Sequence, residues 1–181
     1  MKKFEEKTIH SNEIFKGKII SLKVDDVLLP NGKESKREIV NHPGAVAVIA
    51  VTDEGKLILV EQYRKALERS IIEIPAGKLE PGEAPEVTAR RELEEETGLG
   101  CHTLTYLQTF ATSPGFADEI IHLYVAEDLF EIEEKAELDE DEFVEILKVS
   151  IDEAEEMVQN KRIYDAKTAF AVLWMRLKRG K

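Results

Sequence analysis

The chain has 181 residues and a mass of 20.5 kDa, enough for one globular domain with at most a short appendage. At 43% hydrophobic and 34% charged residues it can bury a core, which excludes a disordered tail and a disulfide-stapled miniprotein. Acidic residues number 37 against 25 basic ones, and the formal net charge of −12 argues against a nucleic-acid binder. Cys101 is the single cysteine and MKKFEEKTIH carries no apolar signal segment, so a cytoplasmic location is expected. The longest apolar run, Gly44 to Val51, falls far short of the roughly 20 residues that span a bilayer, so no membrane partner is expected.

FEEKTIH reads as a weak strand. IISLKVDDVLL alternates in part, Pro30, Asn31 and Gly32 supply a turn, and KESKREIV follows, which predicts a hairpin. Its many charges suit an edge or a small sheet packed on a partner. GAVAVIAVT, the turn Asp53-Glu54-Gly55 and KLILVEQYR predict a second hairpin, apolar enough to be the centre of the main sheet. SIIEIP is then closed by Pro75, and the glycines and Pro81 of AGKLEPGE are expected to break regular structure.

A helix is predicted from Pro85 to Thr97 with Gly98 as its C-cap, turning Ala89, Leu93 and Val87 toward the core. HTLTYLQTFAT and EIIHLYVAEDL read as strands separated by Ser113, Pro114, Gly115 and Phe116. Glu131 to Glu142 reads as an exposed acidic loop, and FVEILKV returns to strand character. Ser150 and Glu153 make a capping box for a short helix ending near Lys161. A last helix over Asp165 to Arg179 carries Ala166, Ala169, Phe170, Leu173 and Leu177 on one stripe, the face expected to pack on the sheet.

The segment GKLEPGEAPEVTARRELEEETGL, Gly77 to Leu99, holds the chemistry. Glu92 and Glu96 stand one helical turn apart and Glu95 is three residues from Glu92, a spacing that lets at least three carboxylates converge. Like charges so placed repel, and a hard divalent cation turns that repulsion into a binding site. A solvated helix with Arg91 paired to Glu95 is the plain alternative. The loop before the helix adds Glu83, and the backbone carbonyl of Ala76 can approach the same cluster. The histidines His42, His102 and His122 stand apart from any zinc-ligand spacing, and Cys101 reads as a small partly buried residue.

This segment resembles the Nudix hydrolase signature: G, five residues, E, seven residues, R-E, an aliphatic, one residue, E-E, one residue, G and an aliphatic. Gly77, Glu83, Arg91, Glu92, Leu93, Glu95, Glu96, Gly98 and Leu99 meet every fixed position. The resemblance implies hydrolysis of a nucleoside diphosphate joined to another group, by water attack on phosphorus. It implies Glu92 and Glu96 as ligands of magnesium, with manganese as a substitute, Glu95 assisting and the carbonyl of Ala76 contributing. Arg91 would orient a glutamate through a bidentate pair, and Glu83 would be a secondary acidic member.

Pro114, sixteen residues beyond Gly98 and within SPGF, resembles the marker of the ADP-ribose pyrophosphatases in that family, as do QYR (Gln62 to Arg64), IEIPAG (Ile72 to Gly77) and DEFVEI (Asp141 to Ile146). By that resemblance Pro114, Gly115 and Phe116 are substrate-side residues, Arg64 contacts the diphosphate, Glu73 lies at the nucleoside end and Arg37 is a ligand-side residue reaching adenine from the partner subunit. Glu142 or Glu140 would serve as the glutamate near the attacking water, with Glu142 favoured because it directly precedes Phe143 and Asp139 and Asp141 as substitutes.

The implied fold is α/β, an α/β/α sandwich around a mixed sheet with an additional N-terminal antiparallel sheet. Residues 1–40 would be strands exchanged across a homodimer and residues 41–181 the hydrolase domain. The expected reaction is ADP-ribose plus water giving AMP and ribose 5-phosphate. A broader nucleoside-diphosphate-sugar or dinucleotide pyrophosphatase is one alternative, although no SQPWPFPxS-like array favours NADH. A non-catalytic nucleotide-binding or acidic interaction module is the other, and it leaves the intact carboxylates unexplained.

Overall fold

The computed structural model describes residues 3–133 and 143–179. Strands β1 (Lys7–Lys16), β2 (Ser21–Leu28) and β3 (Glu34–Asn41) form an antiparallel sheet in that order. A second, mixed sheet is built from β4 (Ala45–Val51), β5 (Leu57–Arg64), β6 (Arg69–Glu73), β7 (Ala76–Lys78), β8 (Leu99–Ala111), β9 (Ile120–Glu131) and β10 (Val144–Val149). Its path is β10-β5-β4-β9-β8, with β6 added on β5 and β7 on β4. The helices are α1 (Pro85–Thr97), α2 (Ile151–Gln159) and α3 (Ala166–Arg179). The chain divides into two compact units, one holding the residues up to Gly44 with Phe110–Ile121, the other holding Ala45–Thr109 and the residues from His122 onward.

In the first unit the predicted hairpin forms at the predicted turn. Gly32 takes φ +80°, a conformation that favours glycine, and Leu29 N–H donates to the Lys33 carbonyl at 2.8 Å, so Leu28 faces Glu34 across the pair. Asp25 is buried on β2, accepting from the Ser11 hydroxyl at 2.6 Å and the Lys23 ammonium at 3.0 Å, and these donors hold its carboxyl below the usual range. The edge strand β1 is exposed at all ten of its residues. The loop after β8 is tied to β3 through Val40, whose N–H donates to the Phe116 carbonyl at 2.8 Å.

The core of the second unit lies around β4. Val46, Val48 and Ala50 project to one face and pack with Ala89 and Leu93 of α1, while the intervening Ala47 and Ile49 project to the other and are equally buried. Leu93 alone contributes about 1.5–3 kcal/mol by leaving water. On the second face α3 packs against β6 and α2, burying Ile151, Ala154, Ala171, Val172 and Met175. Helices therefore cover both faces, which is why β4 reads as an uninterrupted apolar run. Cys101 is buried in the α1-side core, where burial pushes its thiol up, and Arg90 Nη1 donates to its carbonyl at 2.9 Å.

Three expectations are corrected. Val87 is exposed rather than core-facing, because Thr88, Ala89, Glu92 and Leu93 occupy the buried side of α1. Residues 76–78 do not break regular structure: they pair with β4 as β7, Ala76 opposite Ala47. In α3 the buried face is Thr168, Ala171, Val172 and Met175, while Phe170, Leu173 and Leu177 are exposed. Apolar residues on several sides of α3 left its rotation ambiguous, and a polar contact fixes it: the buried Thr168 hydroxyl accepts from Ile74 N–H at 2.9 Å.

The cap predictions hold. Ser150 and Glu153 form both halves of the capping box on α2. Gly98 ends α1 at φ 67°, its N–H donating to the Glu94 carbonyl at 2.7 Å. Gly98→Ala is expected to destabilise the protein by about 1–2 kcal/mol, the cost of a Cβ in the left-handed region. A lowered Tm in thermal unfolding checks this, and an unchanged Tm would refute the cap's contribution.

Candidate active site

Helix α1 presents its acidic face to the start of β7. Glu92 and Glu96 are buried, at 8% and 4% exposure, which few carboxylates are without compensating partners. The compensation is backbone and arginine. Ala76 N–H donates to Glu96 Oε2 at 3.0 Å. A Cβ built on Gly77 would lie 1.9 Å from Glu92 Cδ, so the carboxylate occupies the space that any side chain at position 77 would need. The glycine that opens the motif is therefore a steric requirement of the glutamate fifteen residues later.

Arg91 binds the rest of the cluster together. Its Nη1 donates to Glu95 Oε2 at 2.8 Å and stands 2.9 Å from Glu92 Oε1, while Nη2 and Nε reach the two oxygens of Glu83 at 3.2 and 3.4 Å. Burial works against its charge, but Glu83, Glu92 and Glu95 more than offset this and raise its pKa. Glu83 is in turn held below the usual carboxylate range by Arg91 and by the Thr88 hydroxyl, which donates at 2.8 Å. The expected bidentate partner of Arg91 is thus Glu83, on the loop before the helix, with Glu95 and Glu92 sharing the third nitrogen.

Arg64, Glu73 and Lys167 make a second cluster. Glu73 closes β6 at 2% exposure and accepts from Arg64 Nε at 2.6 Å and Nη2 at 2.8 Å, a bidentate pair, and from the Lys167 ammonium. Burial pushes the Glu73 carboxyl up, but the hydrogen bonds and charges of Arg64 and Lys167 prevail and hold it below its ordinary value. Arg64 is raised chiefly by its hydrogen bond to Glu73, with a further contribution from the charge of Glu96, so the two clusters sense each other. Lys167 belongs to no motif of the sequence. A cation in the first turn of a helix runs against the helix dipole, and that mismatch is the signal that a carboxylate awaits it.

Arg37 and the turn at Pro114 belong to the first compact unit. Arg37 lies on β3 and is engaged within its own unit by Glu6, which accepts from Nε at 2.7 Å and Nη2 at 2.6 Å. Pro114, Gly115 and Phe116 form a tight turn of the same unit, with Phe116 N–H donating to the Ser113 carbonyl at 3.1 Å and the Phe116 ring exposed. Glu140 and Glu142 fall outside the described residues.

Comparison with known proteins decides the family. Residues 41–169 match the NUDIX domain, and residues 6–40 match the nucleoside diphosphate sugar hydrolase N-terminal domain. The chain is a Nudix hydrolase. It is 63% identical over 178 residues to the ADP-ribose pyrophosphatase of Bacillus subtilis (strain 168), an alignment covering 98% of this chain and 96% of that one. It is also 63% identical over 176 residues to the methanol dehydrogenase activator of Bacillus methanolicus, covering 97% and 95%. Among solved structures, an ADP compounds hydrolase superposes with a TM-score of 0.83 at 22% identity, covering 95% of this chain and 92% of the other, a likeness of fold.

Nudix hydrolases need divalent cations. Among the described residues no three His, Cys, Asp or Glu side chains are gathered as a metal cage, since Glu92 and Glu95 both turn to Arg91. The donor set nevertheless fits a hard cation: two buried carboxylates one turn apart, and beside them a backbone bare of Cβ at Gly77.

Two predictions follow from these contacts. Gly77→Ala is expected to displace the Glu92 carboxylate and reduce turnover by about 10²-fold, the scale of a 1 Å misplacement, with circular dichroism unchanged; turnover like the wild type would refute the steric argument. The second concerns acid stability. Because the folded Glu73 carboxyl titrates below its ordinary value of about 4.3, its stabilisation is present above that pH and is lost as pH falls through the folded value. Glu73→Gln should therefore cost roughly 1.5–3 kcal/mol near pH 7 and less near pH 3, measured by urea unfolding, whereas an equal loss at both would contradict the depressed carboxyl.

Proposed function

We propose that this Nudix hydrolase converts ADP-ribose and water to AMP and ribose 5-phosphate, with magnesium as the metal and manganese as a substitute. The observation that carries this reading is the 63% identity to an ADP-ribose pyrophosphatase in an alignment covering 98% of the chain. In the reaction a water oxygen bonds to one phosphorus of the diphosphate, the bond from that phosphorus to the bridging oxygen breaks, and the water gives up a proton. Glu92, Glu96 and the Ala76 carbonyl, with Glu95, would hold the metal, which when bound neutralises diphosphate charge and acidifies the attacking water.

The chain's own residues carry the other tasks. Arg91 keeps Glu92 and Glu95 from repelling one another, and Glu83 fixes Arg91 from the loop side. The outer edge of Arg64 offers a cation to the diphosphate while Glu73 anchors its inner edge. Glu142, or Glu140, takes the proton from water. Arg37, Pro114, Gly115 and Phe116 are assigned to the nucleotide within this same proposal. The N-terminal strands are proposed to exchange across a homodimer, supported by a β1 strand exposed along its length with Ile9, Ile14 and Phe15 more than half exposed. No described helix is long and apolar enough to cross a membrane, and we place the enzyme in the cytoplasm.

A second reading rests on the relative named for activating methanol dehydrogenase, which stands at the same 63% identity. In it the hydrolase modifies the activity of a dehydrogenase. One experiment separates the readings: turnover of ADP-ribose, NADH, GDP-mannose and nucleoside triphosphates with and without magnesium, alongside methanol dehydrogenase rate with and without the protein. Magnesium-dependent release of AMP with preference for ADP-ribose is expected, with Glu96→Gln at least 10–100-fold slower, since even second-shell changes at metal sites cost that much. The same preparation should sediment as a dimer. Preference for another substrate would overturn the ADP-ribose assignment.

A further inference from the structure

The turn that opens α3 does more than start a helix. Asp165 is its cap: Oδ1 accepts from Thr168 N–H at 3.1 Å and from the Lys167 ammonium at 3.0 Å, and the Asp165 carbonyl accepts from Ala169 N–H at 3.1 Å. The other oxygen, Oδ2, is buried with no hydrogen-bond partner among the described residues, so Asp165 is placed for Lys167 and the helix end at some cost in desolvation. Lys167 is a cation in the first turn of a helix, a position the dipole disfavours, and its side chain is only 11% exposed. What compensates is the pair of carboxylates it joins, Asp165 and Glu73.

Glu73 passes the constraint on. It accepts from two nitrogens of Arg64, so the order of contacts is Asp165, Lys167, Glu73, Arg64, alternating in charge and ending in a guanidinium whose side chain is 41% exposed. Thr168 adds the backbone half of the clamp through Ile74, the residue after Glu73. The last helix thus grips consecutive residues of the segment that leads to Ala76 and its contact with Glu96.

We infer that Asp165 and Lys167 are a positioning pair for Arg64, holding Glu73 so that the guanidinium keeps one orientation before substrate arrives. This rests on the ADP-ribose reading for the identity of the substrate. Without the Lys167 ammonium, Glu73 loses the contact that anchors Oε2, the oxygen Arg64 Nη2 also binds, and a carboxylate free to turn gives the guanidinium paired with it rotational freedom. That freedom must be given up again on binding, at a cost typical of immobilising one long side chain. Arg64 touches the diphosphate in ground and transition states alike, so the loss falls on KM more than on kcat.

The test compares Lys167→Met, Lys167→Arg and wild type, full-length and loaded with magnesium, for KM and kcat on ADP-ribose. A second readout uses substrate-free protein: the exchange of the Arg64 Nε–H with water, followed by nitrogen-15 NMR. Lys167→Met is expected to raise KM about three- to tenfold, leave kcat within about twofold, and speed Nε–H exchange, and Lys167→Arg to restore both. Wild-type KM, or wild-type exchange, in Lys167→Met overturns the inference. So does a fall in kcat in step with Tm and no change in exchange, which marks a merely structural lysine. If wild type does not turn over ADP-ribose, the functional reading fails, and the exchange readout with KM on the substrate actually used decides the positioning role separately.

Discussion

Two buried carboxylates one helical turn apart, Glu92 and Glu96, set the terms for the larger unit. Such a pair is unfavourable unless its charge is met, and each surrounding feature meets part of it. Ala76 offers an N–H to Glu96, Gly77 withholds a side chain so that Glu92 can lie against the backbone, and Arg91 brings Glu83 and Glu95 into balance around one guanidinium. The helix is held where these contacts need it by Ala89 and Leu93, packed on Val46 and Val48 of β4. Packing supplies the free energy and the carboxylates use it, a division seen wherever charged groups are kept buried for chemistry.

Much of this was legible in the sequence because it depends on local chemistry. The bounds of α1, its glycine cap, the capping box of α2 and the turn at Gly32 each follow from a few adjacent residues whose backbone preferences agree. The signature residues were legible for a related reason: spacing on one helix fixes which side chains share a face. What escaped were relations between distant segments. Lys167 and Glu73 are far apart in sequence, and nothing in AKTAF states which strand its lysine will meet. The rotation of α3 is hidden for the same reason. Apolar residues on several sides allow more than one phase, and a single hydroxyl to the Ile74 amide selects among them. The short pairing of β7 escaped because glycine and proline around it signal a break, while the partner that overrules them lies in β4.

The two relatives at 63% identity carry different names on what is, at that similarity, one scaffold. The fold and the acidic cluster belong to the signature helix and the strands that brace it, and in the proposed function the choice of substrate falls to residues outside it. Arg64 and Glu73 stand at that boundary. They lie outside the signature yet feel its field, since the charge of Glu96 reaches Arg64.

The chain's one thiol is buried in the α1-side core and shifted away from its reactive thiolate form. A cysteine introduced on the surface would then react with a maleimide dye or spin label against a silent background, with no need to replace Cys101 and disturb the packing around Leu93. This makes distances between the two compact units directly accessible to fluorescence and pulsed electron resonance in solution.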